Sequence, residues 1–243
     1  MLKSFIEHIQ ETARPIIEEI DGTYFCISQQ RGVEELIPES FHPDKLSLSS
    51  LEALVQMVRT EAVNIDAPLY LNIPSHLTVR CFGQPQIEDQ FFRQTYYEAN
   101  ATDVPGFQDG FREQEKAIIE LRSRFAPGEG VDYLLDLLSR ISKESGVTTN
   151  DNGVSQIVEA RQGVALKTLV QLRPRVSLRP YRTFQEVEQP ESEFILRLNE
   201  NGDIGLFEAD GGMWKLTARR TIKAFLEENL ADLIEAETVY VAL

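Results

Sequence analysis

The feature that most constrains this chain is an apolar alternation broken by an Asn-Gly turn near its end. Phe194, Leu196 and Leu198 alternate with Ile195 and Arg197. Asn199-Glu200-Asn201-Gly202-Asp203 intervenes before Ile204 and Leu206. Period-two alternation on both sides of such a turn predicts a β-hairpin, with Gly202 supplying the positive φ that the turn needs. Asp210-Gly211-Gly212 ends the second strand. Ile222, Phe225, Leu226, Leu230, Leu233 and Ile234 then recur at three- and four-residue steps, the apolar stripe of a helix. Thr238 to Leu243 is a short run with aromatic and β-branched residues, expected to pair back into the sheet. From Val170 onward the chain therefore reads strand, hairpin, strand, helix, strand, with the helix expected to lie over the hairpin.

The rest of the chain mixes helices and strands without regular alternation. Residues 2–20 predict a helix on Leu2, Phe5, Ile6, Ile9, Ala13, Ile16, Ile17 and Ile20, interrupted by Pro15 and ended by Asp21-Gly22. Thr23 to Ser28 predicts a strand, and Ser49-Ser50-Leu51-Glu52 a capping box opening a helix that buries Leu51, Leu54, Val55 and Val58. Leu69 to Ile73 and Leu77 to Phe82 read as strands joined at Pro74-Ser75, and Phe91 to Ala99 as a third, with Tyr96 and Tyr97 on opposite faces. Phe107 to Phe125 predicts a charged helix turning Phe111, Ile118, Leu121 and Phe125 inward. Across Pro127-Gly128 a second helix carries Val131, Leu134, Leu135, Leu138 and Ile141. Thr148 to Gly153 reads as a loop. It divides the chain into an N-terminal α+β part, 1–147, and a β-rich part with a closing helix, 148–243, or it joins them in one continuous domain. This order predicts an α+β fold with a mixed, mostly antiparallel sheet.

With 39 acidic against 24 basic residues, a formal net charge of −15 opposes broad, non-specific binding to nucleic acid. No apolar run reaches the roughly 18 residues of a membrane span. Glu7, Glu11, Glu18 and Glu19 interrupt any signal-peptide core, so a cytoplasmic location and no membrane partner are expected. The two cysteines, Cys26 and Cys81, are far apart and read as buried free thiols.

Local basic character centres on Arg173, Arg175 and Arg179, which alternate with Leu172, Val176 and Leu178 and so share one face of an extended segment. Arg182, Tyr181 and Arg161 are candidate neighbours. Pro174 and Pro180 cannot donate to a ladder and place this strand at a sheet edge. Guanidinium forks on one face suit phosphates or a nucleotide. In so acidic a chain they suit carboxylate partners at least as well. Tyr181, Phe184 and Trp214 offer stacking surfaces, which core packing explains equally.

Other chemistry is poorly provided for. Thr149-Asn150-Asp151-Asn152-Gly153 and Asn201-Gly202-Asp203 lack the spacing of a calcium loop and read as turns. His8, His42 and His76 are scattered, without metal-ligand spacing. Gly-x-Ser-x-Gly, phosphate-loop and dinucleotide fingerprints are absent from the sequence. Gly128-Glu129-Gly130 opens a helix whose amides could meet an anion, although Glu129 opposes one. No cofactor or metal is expected.

Pro180-Tyr181-Arg182-Thr183-Phe184, Glu186-Val187-Glu188-Gln189-Pro190, Ser192, Phe194, Arg197 and Leu198 together resemble a phage and prophage family of unknown function, typified by the prophage protein YfdQ. The similarity continues through Glu208-Ala209-Asp210-Gly211-Gly212 and Trp214 and is confined to the C-terminal third. It implies a phage-encoded accessory protein in the host cytoplasm and carries over no catalytic residue. The leading expectation is a non-enzymatic protein that forms a homo-oligomer or binds a phage or host protein, through edge segments such as Arg173 to Phe184 and Thr238 to Leu243. The alternative is a nucleotide or single-stranded nucleic-acid binder using Arg173, Arg175, Arg179, Tyr181 and Arg182.

Overall fold

A computed structural model describes residues 3, 16–20, 23–28, 32–36, 43–86, 91–140, 148–151, 156–162 and 166–243. In chain order the elements are β1 (Ile16–Ile20), β2 (Thr23–Ser28), β3 (Gly32–Leu36), β4 (Leu46–Leu48), α1 (Leu51–Asn64), β5 (Leu69–Ser75), β6 (Thr78–Gln86), β7 (Phe92–Asn100) and β8 (Gly110–Arg112). They continue with α2 (Gln114–Arg124), α3 (Glu129–Arg140), β9 (Thr148–Asp151), β10 (Gln156–Gln162), β11 (Leu166–Gln171), β12 (Arg175–Leu178), β13 (Ser192–Leu198), β14 (Ile204–Glu208), α4 (Trp214–Asn229), α5 (Ala231–Glu235) and β15 (Val239–Ala242). The strands form four mostly antiparallel sheets among the described residues, and the fold is α+β as the element order predicts.

The chain divides into two compact units, Met1–Pro43 and Asp44–Leu243. In the first, β1, β2 and β3 form an antiparallel sheet with Ile16 opposite Ile27 and Ile20 opposite Thr23. The helix expected over residues 2–20 is therefore corrected at its end, where Ile16–Ile20 is a strand; nearly all the rest lies outside the described residues. The β-branched isoleucines of Ile16–Ile20 suit a strand.

The second unit contains a five-stranded sheet, β15-β5-β6-β7-β4, a four-stranded sheet, β12-β13-β14-β8, and the three-stranded β11-β10-β9. The expected loop at Thr148 to Gly153 is a strand over Thr148–Asp151, paired with β10; residues 152–155 lie outside the described residues. Strands from both sides of residue 147 share sheets, since β8 pairs with β14 and β15 runs parallel to β5.

Among the described residues two hydrophobic cores result. The first joins Leu51, Leu54, Val55 and Val58 of α1 to Leu69, Leu71 and Ile73 of β5 and to Ile222, Leu226 and Leu230 around α4. Each fully buried leucine or isoleucine stabilises the fold by about 2 kcal/mol. The second joins Leu121, Phe125, Leu134 and Leu138 of the α2–α3 region to Val176, Phe194, Leu196 and Leu206 of the four-stranded sheet.

That partition corrects the expected helix-over-hairpin unit. The hairpin forms, with Gly202 at φ +78° and Leu198 opposite Ile204, but it belongs to the second core. The helix that follows it packs into the first. The sequence marks the apolar stripe of α4 without saying which sheet it covers.

Three smaller differences have local causes. The helix expected from Phe107 begins only at Gln114, because Gly110–Arg112 is drawn into the sheet as β8; Phe111 is 48 % exposed and meets the Phe207 ring edge-on. Tyr96 and Tyr97 do not point to opposite faces. A bulge at this point places Cys81 opposite Tyr97 and Phe82 opposite Thr95, and both tyrosines pack against the first core. Finally, Ser50 caps α1 by accepting from the Ala53 amide at 3.1 Å, and the carboxylate that joins it at this helix start is Glu186 rather than Glu52. Glu186 Oε1 takes the Leu51 amide at 2.7 Å from 135 residues away.

Candidate functional site

Strand β12 is the outer strand of its sheet, as its flanking prolines predict. Alternation turns Val176 and Leu178 into the core and leaves Arg175 and Ser177 exposed. Just past the strand, backbone bonds from Ala126 to Arg179 O (2.8 Å) and from Tyr181 to Arg124 O (2.9 Å) tie the end of α2 to it. This contact carries the chain directly into α3, whose first turn comes against β12. A Cβ on Gly130 would sit 2.1 Å from the Ser177 carbonyl oxygen, so only glycine permits that approach.

The result is a cavity of about 390 Å³ between β12 and the start of α3, lined by Gly128, Glu129, Gly130, Arg173, Arg175 and Arg179 among others. The alternating arginines and the Gly-Glu-Gly helix start, far apart in sequence, share this hollow. Arg173 donates to Glu129 at 3.0 Å, and its guanidinium lies 4.6 Å from the Tyr133 ring centroid. The Tyr133 hydroxyl in turn accepts from the Arg173 amide at 3.0 Å. Arg175 pairs with Glu193 at 2.8 Å, and Arg179 with Glu188 at 2.9 Å and with the Pro127 carbonyl. All three arginines thus have carboxylate partners, the outcome that an acidic chain favours. Such exposed pairs are each worth about 0–1 kcal/mol, so a multiply charged anion can compete for them.

Tyr181 and Arg182 do not join this hollow. Tyr181 is half-buried, and Arg182 is 3 % exposed on the far side of its segment. Its guanidinium donates to Glu208 (2.5 Å), to the Pro190 carbonyl (3.2 Å) and to Ser192 Oγ, and lies 3.8 Å from the Trp214 ring centroid. Burial outweighs the pull of Glu208 and lowers its pKa to about 10, and Nε has no hydrogen-bond partner. Arg161 lies on β10, in the separate three-stranded sheet.

The segment from Pro180 to Asp210 acts as a fastening. Gln189 Oε1 accepts from the Arg182 and Thr183 amides, and its Nε2 donates to the Phe184 and Val187 carbonyls. Thr183 donates to the His76 carbonyl at 2.5 Å, in the β5–β6 turn. Ser192 donates to Asp210 at 2.7 Å, and Asp210 accepts from the Gly212 and Trp214 amides, capping α4. Burial acts to raise the Asp210 pKa, but these donors and Arg182 hold it below the ordinary range. The His76 ring meets Trp214 edge-on at 4.6 Å, and burial, with Lys215 and Arg182, lowers its pKa. Sequence reasoning missed Glu186, Gln189 and Asp210 as structural ligands; for Glu186 and Gln189 the density of polar residues between Pro180 and Pro190 was the available signal.

Among the described residues no cluster of His, Cys, Asp and Glu is placed to hold a metal ion, and no helix is long and apolar enough to cross a membrane. Cys81 is buried and pushed up to about 12, by burial first and the Glu61 charge second; Cys26 is half-buried, and neither is bridged. No known protein family, curated protein or solved structure matches this chain significantly.

Proposed function

We propose that this chain works by binding, as an accessory protein of the phage type in the host cytoplasm, and that the hollow at β12 takes a phosphate-bearing ligand of nucleotide size. The observation that carries this reading is the convergence of Arg173, Arg175 and Arg179 with the amide end of α3 in one cavity of about 390 Å³. Helix N-termini and guanidinium forks both favour anions, and the volume lies in the ordinary range for small-ligand sites. Titration calorimetry with nucleoside mono- and triphosphates tests it. Binding should weaken about tenfold or more in the Arg175→Ala/Arg179→Ala double variant, as expected when charge-assisted bonds are lost. No heat from any of these ligands, or equal affinity in the double variant, removes the reading.

Self-assembly is the second reading, and β15 favours it. This strand forms one edge of the five-stranded sheet, and its own Tyr240 is 45 % exposed. An open strand edge is a template for a second chain. The corresponding edge at Arg173 to Phe184 is less available, because the α2–α3 turn and Tyr133 already take some of its backbone groups. Light scattering that finds only monomer across a wide concentration range would exclude assembly.

A further inference from the structure

The five-stranded sheet is covered by α1 and α4 on one face, where Leu69, Leu71, Ile73, Val79 and Val239 are fully buried. Strand alternation sends the intervening residues to the opposite face. There the register places Tyr240 opposite Tyr70, Tyr70 opposite Phe82, and Phe82 opposite Thr95, so that three aromatic rings form one row across β15, β5 and β6. Tyr240 and Tyr70 are stacked, with centroids 5.5 Å apart and planes at 17°. The Arg93 guanidinium, from β7, lies 5.2 Å from the Tyr70 centroid. Tyr70 and Phe82 are half-buried, while Tyr240 and Arg93 are exposed.

The charge on this face has the opposite sign to that of the chain. Arg80 and Arg93 rise from it, and Lys45 reaches in from beside β4. The carboxylate among them in these strands is Glu98, which Lys45 and Arg80 both hold, at 2.8 Å and 2.6 Å. Among the described residues of these strands, three cations stand against one carboxylate, a local positive excess on a protein of formal charge −15. Around the rings, the outward Asn72, Gln84 and Thr95 are polar and Ala242 is small, so the patch lacks the large aliphatic centre of a protein–protein interface.

We propose that this face binds single-stranded nucleic acid, with bases stacking on Tyr240 and Phe82, Tyr70 backing the Tyr240 ring, and phosphates drawn to Arg93 and Arg80. A row of rings bordered by guanidinium groups is the arrangement that holds unpaired bases without reading their sequence. The site is independent of the hollow at β12, which lies on the four-stranded sheet.

Fluorescence anisotropy with a labelled oligothymidylate and the intact chain tests it. The expected result is binding that weakens with salt at a log–log slope of about −1.4, for two phosphates neutralised. Tyr240→Ala should weaken it about tenfold, as loss of one stacked base does, and Tyr240→Phe should not. Arg93→Glu should weaken it further and flatten the salt dependence, while Arg175→Ala/Arg179→Ala should leave it unchanged. The proposal is overturned if the wild-type chain does not bind, if folded Tyr240→Ala and Arg93→Glu bind equally well, or if the β12 double variant alone abolishes binding. It is also overturned if Tyr240→Ala merely converts a dimer to a monomer in light scattering and no oligonucleotide binds, since the face would then belong to a second copy.

Discussion

The guanidinium of Arg182 lies over Trp214, 3.8 Å from its ring centroid, and is held there by Glu208, which also accepts from the Trp214 indole nitrogen at 3.3 Å. Arg182 follows the arginine-bearing edge strand of the second core, and Trp214 opens the helix that packs into the first. The pair therefore joins two parts of the fold that share no core residue.

Removing this arginine is expected to be costly. Arg182→Ala strips Glu208 and Ser192 of a charged partner and uncovers Trp214. Loss of one partner of a buried ion pair costs 3–5 kcal/mol, and Glu208 is partly solvated, so we expect about 2–3 kcal/mol. Arg182→Lys should also destabilise, because an ammonium cannot serve three acceptors and a ring face at once. Urea unfolding followed by Trp214 fluorescence measures both; a loss below about 0.5 kcal/mol would show that the contact does not hold the two parts.

His76 gives the protein a pH-dependent signal. Its folded pKa is lowered from 6.5 by burial first, so the unfolded chain takes up the proton more readily. Stability attached to neutral His76 is present above pH 6.5 and is lost as pH falls through the lower folded value. Trp214 is the single tryptophan, and its emission should change over that window. In His76→Gln the step should vanish; its persistence would assign it to another group.

Glu98 acts at lower pH. Hydrogen bonds from Lys45 first, then from Arg80 and Asn100, outweigh burial and lower its pKa from 4.5 to about 2. The sign is that of a depressed carboxylate, whose contribution is complete above pH 4.5 and is lost as pH falls towards 2. Thermal melts across this range should show a shallower acid slope in Glu98→Gln than in the wild type. Parallel slopes would contradict it.

Gly130→Ala sets two effects against each other. Alanine favours a helix by about 1 kcal/mol over glycine, but its Cβ would stand 2.1 Å from the Ser177 carbonyl oxygen. Relieving that clash requires backbone movement, typically about 1–3 kcal/mol, so the clash should win and α3 should move away from β12. Chemical denaturation gives the sign, and a stabilised variant would disprove the close approach.

Cys81 should be inert in the native state. Burial raises its thiol to about 12, so almost none is thiolate at neutral pH. A disulfide reagent should reach it only on unfolding; rapid native labelling of a Cys26→Ser variant would show that the sheet interior opens.

Legibility followed distance along the chain. The hairpin at Asn199 to Asp203, the stripe of α4 and the helix beginning at Leu51 were readable because each depends on neighbours within a few residues. Likewise the outward set of Arg175 and Arg179 follows from strand alternation, and their carboxylate partners from composition. Ile16–Ile20 failed for the reason that short apolar runs satisfy a helix or a strand alike until a partner is present. Tyr96 and Tyr97 failed because one bulged residue in β7 cancels the alternation from which faces are read.

By itself, then, the sequence determined the class of fold, most of the periodic elements of residues 44–243 and the edge position of the arginine strand, since propensity, alternation and proline chemistry are local. Only the tertiary structure decided that α4 leaves its hairpin for another sheet, that Glu186 caps a helix 135 residues away, and that Arg182 is sealed while Arg175 is not. Those outcomes depend on which apolar faces meet and on which donors must be satisfied once they have met. Neither is written in the spacing of any one segment.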